Sequence, residues 1–454
     1  MTLGIILILF AGAIGVLVTK NYKKITLGSL VLAGILSITS IFNEISLTTF
    51  YSFFFILIAG FVMWESFSGI GEDLKDNSIP IYYAIVLVLV ASLCGIIYFD
   101  NLIIIYLTLE ISAFLSAGLV IIKDTEESTW AGLRYLFLSL LASVFFLIGV
   151  VIFYRITGAL SITVINENII LAQGNDLIGT GLIFVFIGLA FKSALFPFHI
   201  WLPDAHGSAT SSASAMLSAV VLKSYIILFI KILYIGIGIN LVKEFNVLKI
   251  SLILGTIAML YGSVLAIMQE NIKYRIAYSS VAQIGYIFMG IGLGNSLGLM
   301  AALFHIIAHG VSKSTLFLAA GNIIQKTGIK NPAKMNGLAR ILPYTMAVYT
   351  VGALSMIGIP LFVGFVSKWN FGQGIMEYGS MPLIVVLTLS SLLNGIYFMP
   401  LVIRGYFFKG NEDLQEWGFK ITHPLTLLAS LIIITGVFSS PIIEILKGIV
   451  GSLY

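Results

Sequence analysis

Fourteen apolar runs follow one another along this chain with only short polar stretches between them, which leaves few alternatives to a bundle of membrane helices. A helix crosses a bilayer in about 20 apolar residues. The runs lie near 3–19, 25–42, 47–67, 79–99, 102–122, 130–154, 178–197, 210–234, 247–269, 275–294, 296–321, 344–372, 383–403 and 423–447. Only 10% of residues are charged and 59% are hydrophobic, whereas a soluble domain carries roughly 25% charged residues. Such a chain cannot cover itself in water, so the expected fold is an all-α polytopic membrane protein. The first run has no basic leader and further runs follow at once, so it reads as a first span, not a signal peptide. The segment SITVINENIILAQGND (161–176) is too polar to span and reads as a loop or a short helix lying at the membrane surface.

Lys and Arg set the expected orientation. Loops after odd-numbered runs hold fourteen of them, Lys20, Lys123 and Lys273 included, against Arg155, Lys231, Lys243 and Lys249 after even-numbered runs. This places the odd loops in the cytoplasm of a cell membrane and both termini outside, which agrees with an even number of spans.

Several function classes drop out. The net charge of +4 is spread over short loops and forms no nucleic-acid patch. A single cysteine, Cys94, excludes a disulfide framework, a four-cysteine iron–sulfur site and a CxxC pair. No phosphate-binding glycine loop, HExxH or haem motif is present, and the longest polar stretches, 327–340 and 409–420, are loop-sized. No cofactor and no resident metal are expected.

Inside the runs a short set of ionisable residues remains: Glu110, Arg134, Lys192, Lys223, His305, His309, Lys313 and Lys368. Each charge at a helix centre costs about 2.5–3.5 kcal/mol even on the gentler insertion scale, so together they rival a domain's net stability of roughly 5–15 kcal/mol. A lysine close to a helix end can snorkel to the interface, which is the plain reading for Lys313, near the end of its run. Arg134, near a span start, is expected to meet the interface or pair with Glu126 or Glu127. Lys192 and Lys223 lie at mid-depth in consecutive runs and do not fit snorkelling. A carboxylate beside a lysine favours the ammonium, while burial opposes it, so a Glu110–lysine pair of changing separation acts as a proton-affinity switch. His305, His309 and Lys313 repeat every four residues and build a ladder about 12 Å long on one helix side, a pattern suited to a proton wire. No carboxylate or thiolate accompanies the histidines, which disfavours a metal site.

Two runs are damaged. GLAFKSALFPFHIWLPDAHGSA (188–209) carries Pro197 and Pro203 beside Lys192; SMIGIPLFVGFVSKWNF carries Gly358, Pro360 and Gly364 ahead of Lys368. Interior proline breaks a helix, and freed backbone survives at membrane depth only inside protein or beside water. The damaged runs, seven and twelve, are five apart, as an internal duplication would place them. Broken helices in inverted repeats mark transporters. The expected organisation is three N-terminal spans (1–78), a first repeat (79–236), a second repeat (247–405) and a last span (423–454).

GLAFKSALFPFHIWLPDAH, NIKYRIAYSSVAQIGY (271–286) and FHIIAHGVSKSTLFLAAG (304–321) together resemble a known family. It comprises the antiporter-like proton-translocating subunits of respiratory complex I, the membrane-bound energy-converting hydrogenases with their sulfur-reducing relatives, and the Mrp multisubunit Na⁺/H⁺ antiporters. NGLAR (336–340), GIPLFVGFVSK (358–368) and NGIYFMPLVIRGYF (394–407) extend the likeness over roughly spans four to thirteen. The resemblance implies a paired Glu110 and Lys192, an axial lysine at Lys223, and histidines 305 and 309 leading to Lys368, in a hydrated mid-membrane chain. It also implies partner membrane subunits, a peripheral redox module in some members, and protons with or without Na⁺ as cargo. The family often has Ala-Pro shortly after DAH; here Ser208, Ala209 and Thr210 carry no proline, which leaves the start of span eight open. The sequence stops after the fourteenth run, so the long C-terminal lateral helix of the largest complex I member is expected to be lacking.

The function implied is a proton-translocating subunit of a redox-driven ion-pumping complex, with no redox chemistry in this chain. The alternatives are a subunit of an Mrp-type Na⁺/H⁺ antiporter and a stand-alone secondary transporter for an organic solute. A quinone-binding enzyme has no motif to support it, and a pure scaffold gives the buried charges no reason.

Overall fold

The structure, a computed structural model, describes residues 2–19, 21–172, 174–410 and 419–454. Lys20 and most of the 409–420 loop lie outside the described residues. Helices account for nearly all of what is described, with no β-strand among those residues and one isolated bridge between Asn101 and Ser161.

The helices are α1 (Thr2–Val18), α2 (Tyr22–Asn43), α3 (Leu47–Asp73), α4 (Ile79–Tyr98), α5 (Leu102–Ile121), α6 (Glu126–Thr157), α7 (Ile162–Ile169), α8 (Leu177–Lys192) and α9 (Leu202–Ser208). They continue with α10 (Ser211–Ile237), α11 (Val247–Ile267), α12 (Ile272–Gly292), α13 (Ser296–Thr327), α14 (Pro343–Ile357), α15 (Val363–Tyr378), α16 (Met381–Phe407), α17 (Phe419–Val437) and α18 (Ser440–Gly451). Among the described residues nine helices are long and apolar enough to cross a membrane, or ten with the α17–α18 pair, which bends by 72°. This is a multi-pass membrane protein. By length alone fourteen crossings are not reached, because α1, α8, α14 and α15 have 17 residues or fewer. The final apolar run, read as one span, turns sharply at Phe438 and Ser439.

Local signals explain the helix ends. Thr125 opens α6 with a capping box to Ser128, and Gly158 closes it at φ 68°, where glycine has no Cβ penalty. Thr210 caps α10 by accepting from the Ala213 N–H at 3.2 Å, so the helix starts cleanly without the missing proline. The polar 161–176 segment holds α7, which buries Ile162, Ile165 and Ile169 on one side.

Between helices the apolar side chains give no preference over lipid, so close packing decides. The α11–α12 pair meets backbone to backbone. A Cβ on Gly255 would lie 2.5 Å from the Met289 nitrogen, and one on Gly262 2.6 Å from that of Ala282. Outward faces carry large apolar side chains such as Leu7, Phe137, Val151 and Leu392. The centre is occupied by α13, where Gly298–Gly321 is buried without a gap.

Arg134 departs from its expected partners. It donates to Asp204 at 2.7 Å, because the turn after α8 brings α9 against α6. Both side chains are well exposed (51% and 39%), and such a pair contributes about 0–1 kcal/mol. Arg134→Ala is expected to change stability by less than about 1 kcal/mol, readable as an almost unmoved thermal unfolding midpoint of the purified chain; a large drop would contradict this.

Candidate functional site

The two damaged runs solve their backbone problem inside the protein. The α8 helix stops at Lys192, and α9 begins at Leu202 with Pro203 in its first turn, where a missing N–H costs nothing. Pro197 lies in the stretch between. Of the carbonyls this frees, that of Ala190 accepts from the Leu195 N–H at 2.9 Å, and that of Phe191 from the Trp201 indole at 3.1 Å. In the second run α14 ends at Ile357 and α15 begins at Val363, with Gly358 and Pro360 between them. Here Lys368 itself supplies the missing donors: its ammonium donates to the Met356 carbonyl at 3.0 Å and the Ile357 carbonyl at 2.7 Å. Asn394 also donates to Met356, at 3.0 Å. A cation at a helix C-terminus is favoured by the backbone dipoles. Glycine is required at two points. Gly358 has φ 92°, and a Cβ on Gly364 would collide with the Ser355 carbonyl oxygen at 1.8 Å.

Lys192 is 1% exposed and donates to the Ser139 hydroxyl at 2.9 Å. Its ammonium also lies 5.8 Å from the Tyr225 ring centroid, and the Tyr225 hydroxyl bonds Ser112 at 2.9 Å. Glu110, two residues before Ser112 on α5, keeps its Oε1 buried and without a partner. The expected Glu110–Lys192 ion pair is not closed. Among the described residues three ion pairs form within 4.0 Å, and none contains Glu110 or any lysine of α8, α10, α13 or α15.

Lys223 sits in α10 immediately after a π-helical stretch, Leu217–Val221. That stretch changes the backbone register and leaves the Ser218 carbonyl to accept from the Lys223 ammonium. Such bulges recur at functional sites. The Ser218 and Ser280 hydroxyls bond at 3.2 Å, bridging α10 to α12. On α12 the Ile276 carbonyl, at 2.8 Å, and the Ser279 hydroxyl receive the Lys313 ammonium. Lys313 is therefore not a snorkelling lysine: α13 runs to Thr327, so this residue falls in mid-helix and is fully buried. From Lys313 the ladder runs along α13 to His309 and His305, whose parallel rings lie 5.9 Å apart. His305 Nδ1 bonds Ser367 at 2.6 Å, and Tyr286 stacks on His305 at 5.5 Å and faces the Lys368 ammonium at 5.4 Å.

The structure thus lines up Lys223, Lys313, His309, His305 and Lys368 in one polar row along α10, α13 and α15, with both ring nitrogens of His309 buried without a hydrogen-bond partner, and Lys192 packs against Tyr225 of α10.

Several buried groups are missed by reading the sequence. Lys231 is 5% exposed and donates to the Ile97 carbonyl at 2.9 Å and the Phe99 carbonyl at 2.7 Å, at the end of α4. Lys273 is equally buried and bonds the Ala209 carbonyl. By hydropathy both read as loop residues; without them the loop count moves from fourteen against four to thirteen against three. His206 has both ring nitrogens buried without partners and stacks on Phe317 at 5.1 Å. Its place in LPDAH is the one signal that marks it.

The family model described as "NADH:quinone oxidoreductase/Mrp antiporter, TM" matches residues 100–394. NADH-quinone oxidoreductase subunit N of Desulforudis audaxviator is 34% identical over 348 residues, 76% of this chain and 68% of the relative. A Na⁺/H⁺ antiporter subunit of Alkalihalophilus pseudofirmus is 30% identical over 394 residues, 80% of this chain but 48% of that longer protein. A chain of the membrane-bound sulfane sulfur reductase, an archaeal respiratory membrane complex, shares the fold with a TM-score of 0.89 at 23% identity, covering 100% of this chain and 99% of that one. With matched residues that take in both damaged runs and every member of the polar row, this chain belongs to the NADH:quinone oxidoreductase/Mrp antiporter transmembrane family.

Proposed function

We propose that this chain is the proton-translocating subunit of a multisubunit ion-pumping membrane complex and performs no redox chemistry itself. Protons move along Lys192, Lys223, Lys313, His309, His305 and Lys368, and Glu110 sets the affinity of the first lysine. One observation carries the reading. Four buried ammonium groups, Lys192, Lys223, Lys313 and Lys368, are held by neutral hydroxyl and carbonyl oxygens, with no carboxylate within 4.0 Å among the described residues. An unpaired buried ion costs several kcal/mol, and a structural role would be met better by apolar side chains. Lysines in such surroundings are poised to lose and regain a proton.

The switch follows from the gap at Glu110. An energy-driven movement that closes the Glu110–Lys192 pair favours the ammonium; opening it releases the proton toward Lys223. In this reading Pro197, Pro203 and Pro360 keep the backbone broken beside the row, residues 79–236 and 247–405 act as two halves around it, and residues 1–78 and 423–454 flank them. The odd loops face the cytoplasm and both termini lie outside. The likeness to quinone oxidoreductase subunits favours a redox-driven parent with a peripheral module; the likeness to the Na⁺/H⁺ antiporter protein supports an Mrp-type parent moving Na⁺ against protons.

Purification of the intact assembly from native membranes through a tag on this chain tests the reading. Copurifying flavin or nickel–iron subunits, with acidification or alkalinisation of liposomes when the redox substrate is added, is the expected result. Small hydrophobic partners alone, with Na⁺-dependent proton movement, identify the Mrp parent. A chain that runs alone and carries an organic solute with no proton flux overturns the proposal.

A further inference from the structure

We propose that Glu65 is a proton-loading group at the inner end of a polar inlet between α3, the start of α10 and the end of α13. The inference rests on the translocation reading above and adds to it the path by which protons reach the row.

Glu65 is 3% exposed. Its Oε1 accepts from the Asn322 side-chain amide at 3.0 Å, while Oε2 is buried with no partner, and no cation stands within 4.0 Å among the described residues. A carboxylate used only to tie two helices together has both oxygens engaged, since a buried orphan acceptor costs about 1–3 kcal/mol. A carboxyl with one idle oxygen in a polar space can instead gain and lose a proton there.

That space exists. Glu65, Ser212 and Asn322 line a small, partly open pocket of about 20 Å³, room for one water, which the polar walls would hold. The pocket shares Asp73, Ser211, Gly321 and Gln325 with an outer cavity of about 480 Å³. The outer cavity is bounded by loop and helix-end charges, among them Lys123, Glu126, Lys273 and Lys330. Gln325 lines both spaces; its amide donates to the Gly69 carbonyl at 3.1 Å and to Asp73 at 3.3 Å, and Asp73 pairs with Lys123 at 3.4 Å. Two glycines allow close approach here: a Cβ on Gly321 would lie 2.4 Å from Ser211 Cβ, and one on Gly69 2.5 Å from Gln325 Oε1.

Gln325, Gly321, Phe317 and Lys313 follow one another at four-residue spacing along α13, a line that winds about 40° around the axis at each step. Asn322 and Lys313 are nine residues apart, about 13 Å along the axis and about half a turn around it, and His206 stacks beside Phe317 in that interval. The Ser212 hydroxyl bonds that of Tyr82 at 2.7 Å on the inner wall. In the loading step a hydronium in the outer cavity gives its proton through the intervening water to the Glu65 carboxylate, leaving water and a carboxylic acid; in the delivery step that acid gives the proton to a water on the inner side, leaving hydronium there and a carboxylate.

The test uses the intact complex in liposomes, with Glu65→Gln, Glu65→Asp and Lys223→Ala compared. Glutamine keeps the bond to Asn322 but cannot titrate. The inlet predicts at least about a tenfold loss of proton flux in Glu65→Gln, with measurable flux in Glu65→Asp. Wild-type flux in Glu65→Gln beside a dead Lys223→Ala overturns the inlet and leaves translocation standing; wild-type flux in Lys223→Ala overturns translocation itself. If Glu65→Gln does not assemble, Ser211→Cys in a Cys94→Ser background decides. Modification by a membrane-impermeant thiol reagent from the side of Lys123 and Lys330 supports the inlet, and no modification from that side overturns it.

Discussion

Lys223→Ala is expected to lower proton translocation at least about a hundredfold while the complex still assembles. Proton transfer through a positioned group contributes roughly 10²–10⁴-fold, and here the only titratable group on α10 near Ser218 is removed. Assembly survives because the lost ammonium engages a single carbonyl, that of Ser218, and deleting an uncompensated buried charge offsets part of the cavity left by the stem. Lys223→Arg separates charge from titration. Arginine keeps the positive charge but stays protonated at any physiological pH, so the account predicts that it is nearly as inactive as alanine. Flux in the arginine variant close to wild type would mean that a fixed charge suffices, and the relay would be wrong. The measurement is initial proton flux in liposomes normalised to assembled complex.

Gly255→Leu is expected to abolish folding of the second half. Its α-carbon faces the Met289 nitrogen and the Gly285 carbonyl, where even a Cβ would approach to 2.5 Å and 2.7 Å. The reciprocal contact is as close, with a Cβ on Gly285 lying 2.6 Å from the Gly255 carbonyl oxygen. Overpacking by single methylenes costs about 1–3 kcal/mol, and leucine adds four carbons where two backbones touch. Movement of α12 would also withdraw Ile276 and Ser279 from the Lys313 ammonium. Size-exclusion profiles and thermal unfolding in detergent should show loss of the folded species. Gly448→Ala, at a position where a Cβ meets nothing within 4 Å, serves as the neutral comparison. A folded, stable Gly255→Leu protein would contradict the packing described.

The sequence made the membrane class and the key lysines legible for a single reason: charge is rare in apolar runs, so Lys192, Lys223 and Lys368 stand out. What it hides is equally physical. The π-helical stretch before Lys223 is a change of backbone register with no compositional mark. The Arg134–Asp204 pair joins residues 70 apart, and no local pattern announces it against the nearer Glu126 and Glu127. Lys231 and Lys273 lie at the ends of apolar runs, where hydropathy alone reads a loop, yet each is drawn inward by free carbonyls at a helix end. Glu65 lies two residues from the end of the third run, where a carboxylate reads as an interface group, whereas α3 continues to Asp73 and keeps it buried. Helix breaks at 193–201 and 358–362 shorten α8, α14 and α15, so counting crossings from hydropathy and counting them from helix length give different answers.

The polar row is the centre of the account, and ordered water tests it most directly. A density map of the native complex at a resolution that shows water should reveal hydrogen-bonded molecules linking Lys192 to Lys223, Lys223 to Lys313 and His305 to Lys368. Apolar side chains filling those intervals, with no water between the ammonium groups, would contradict proton movement along this row.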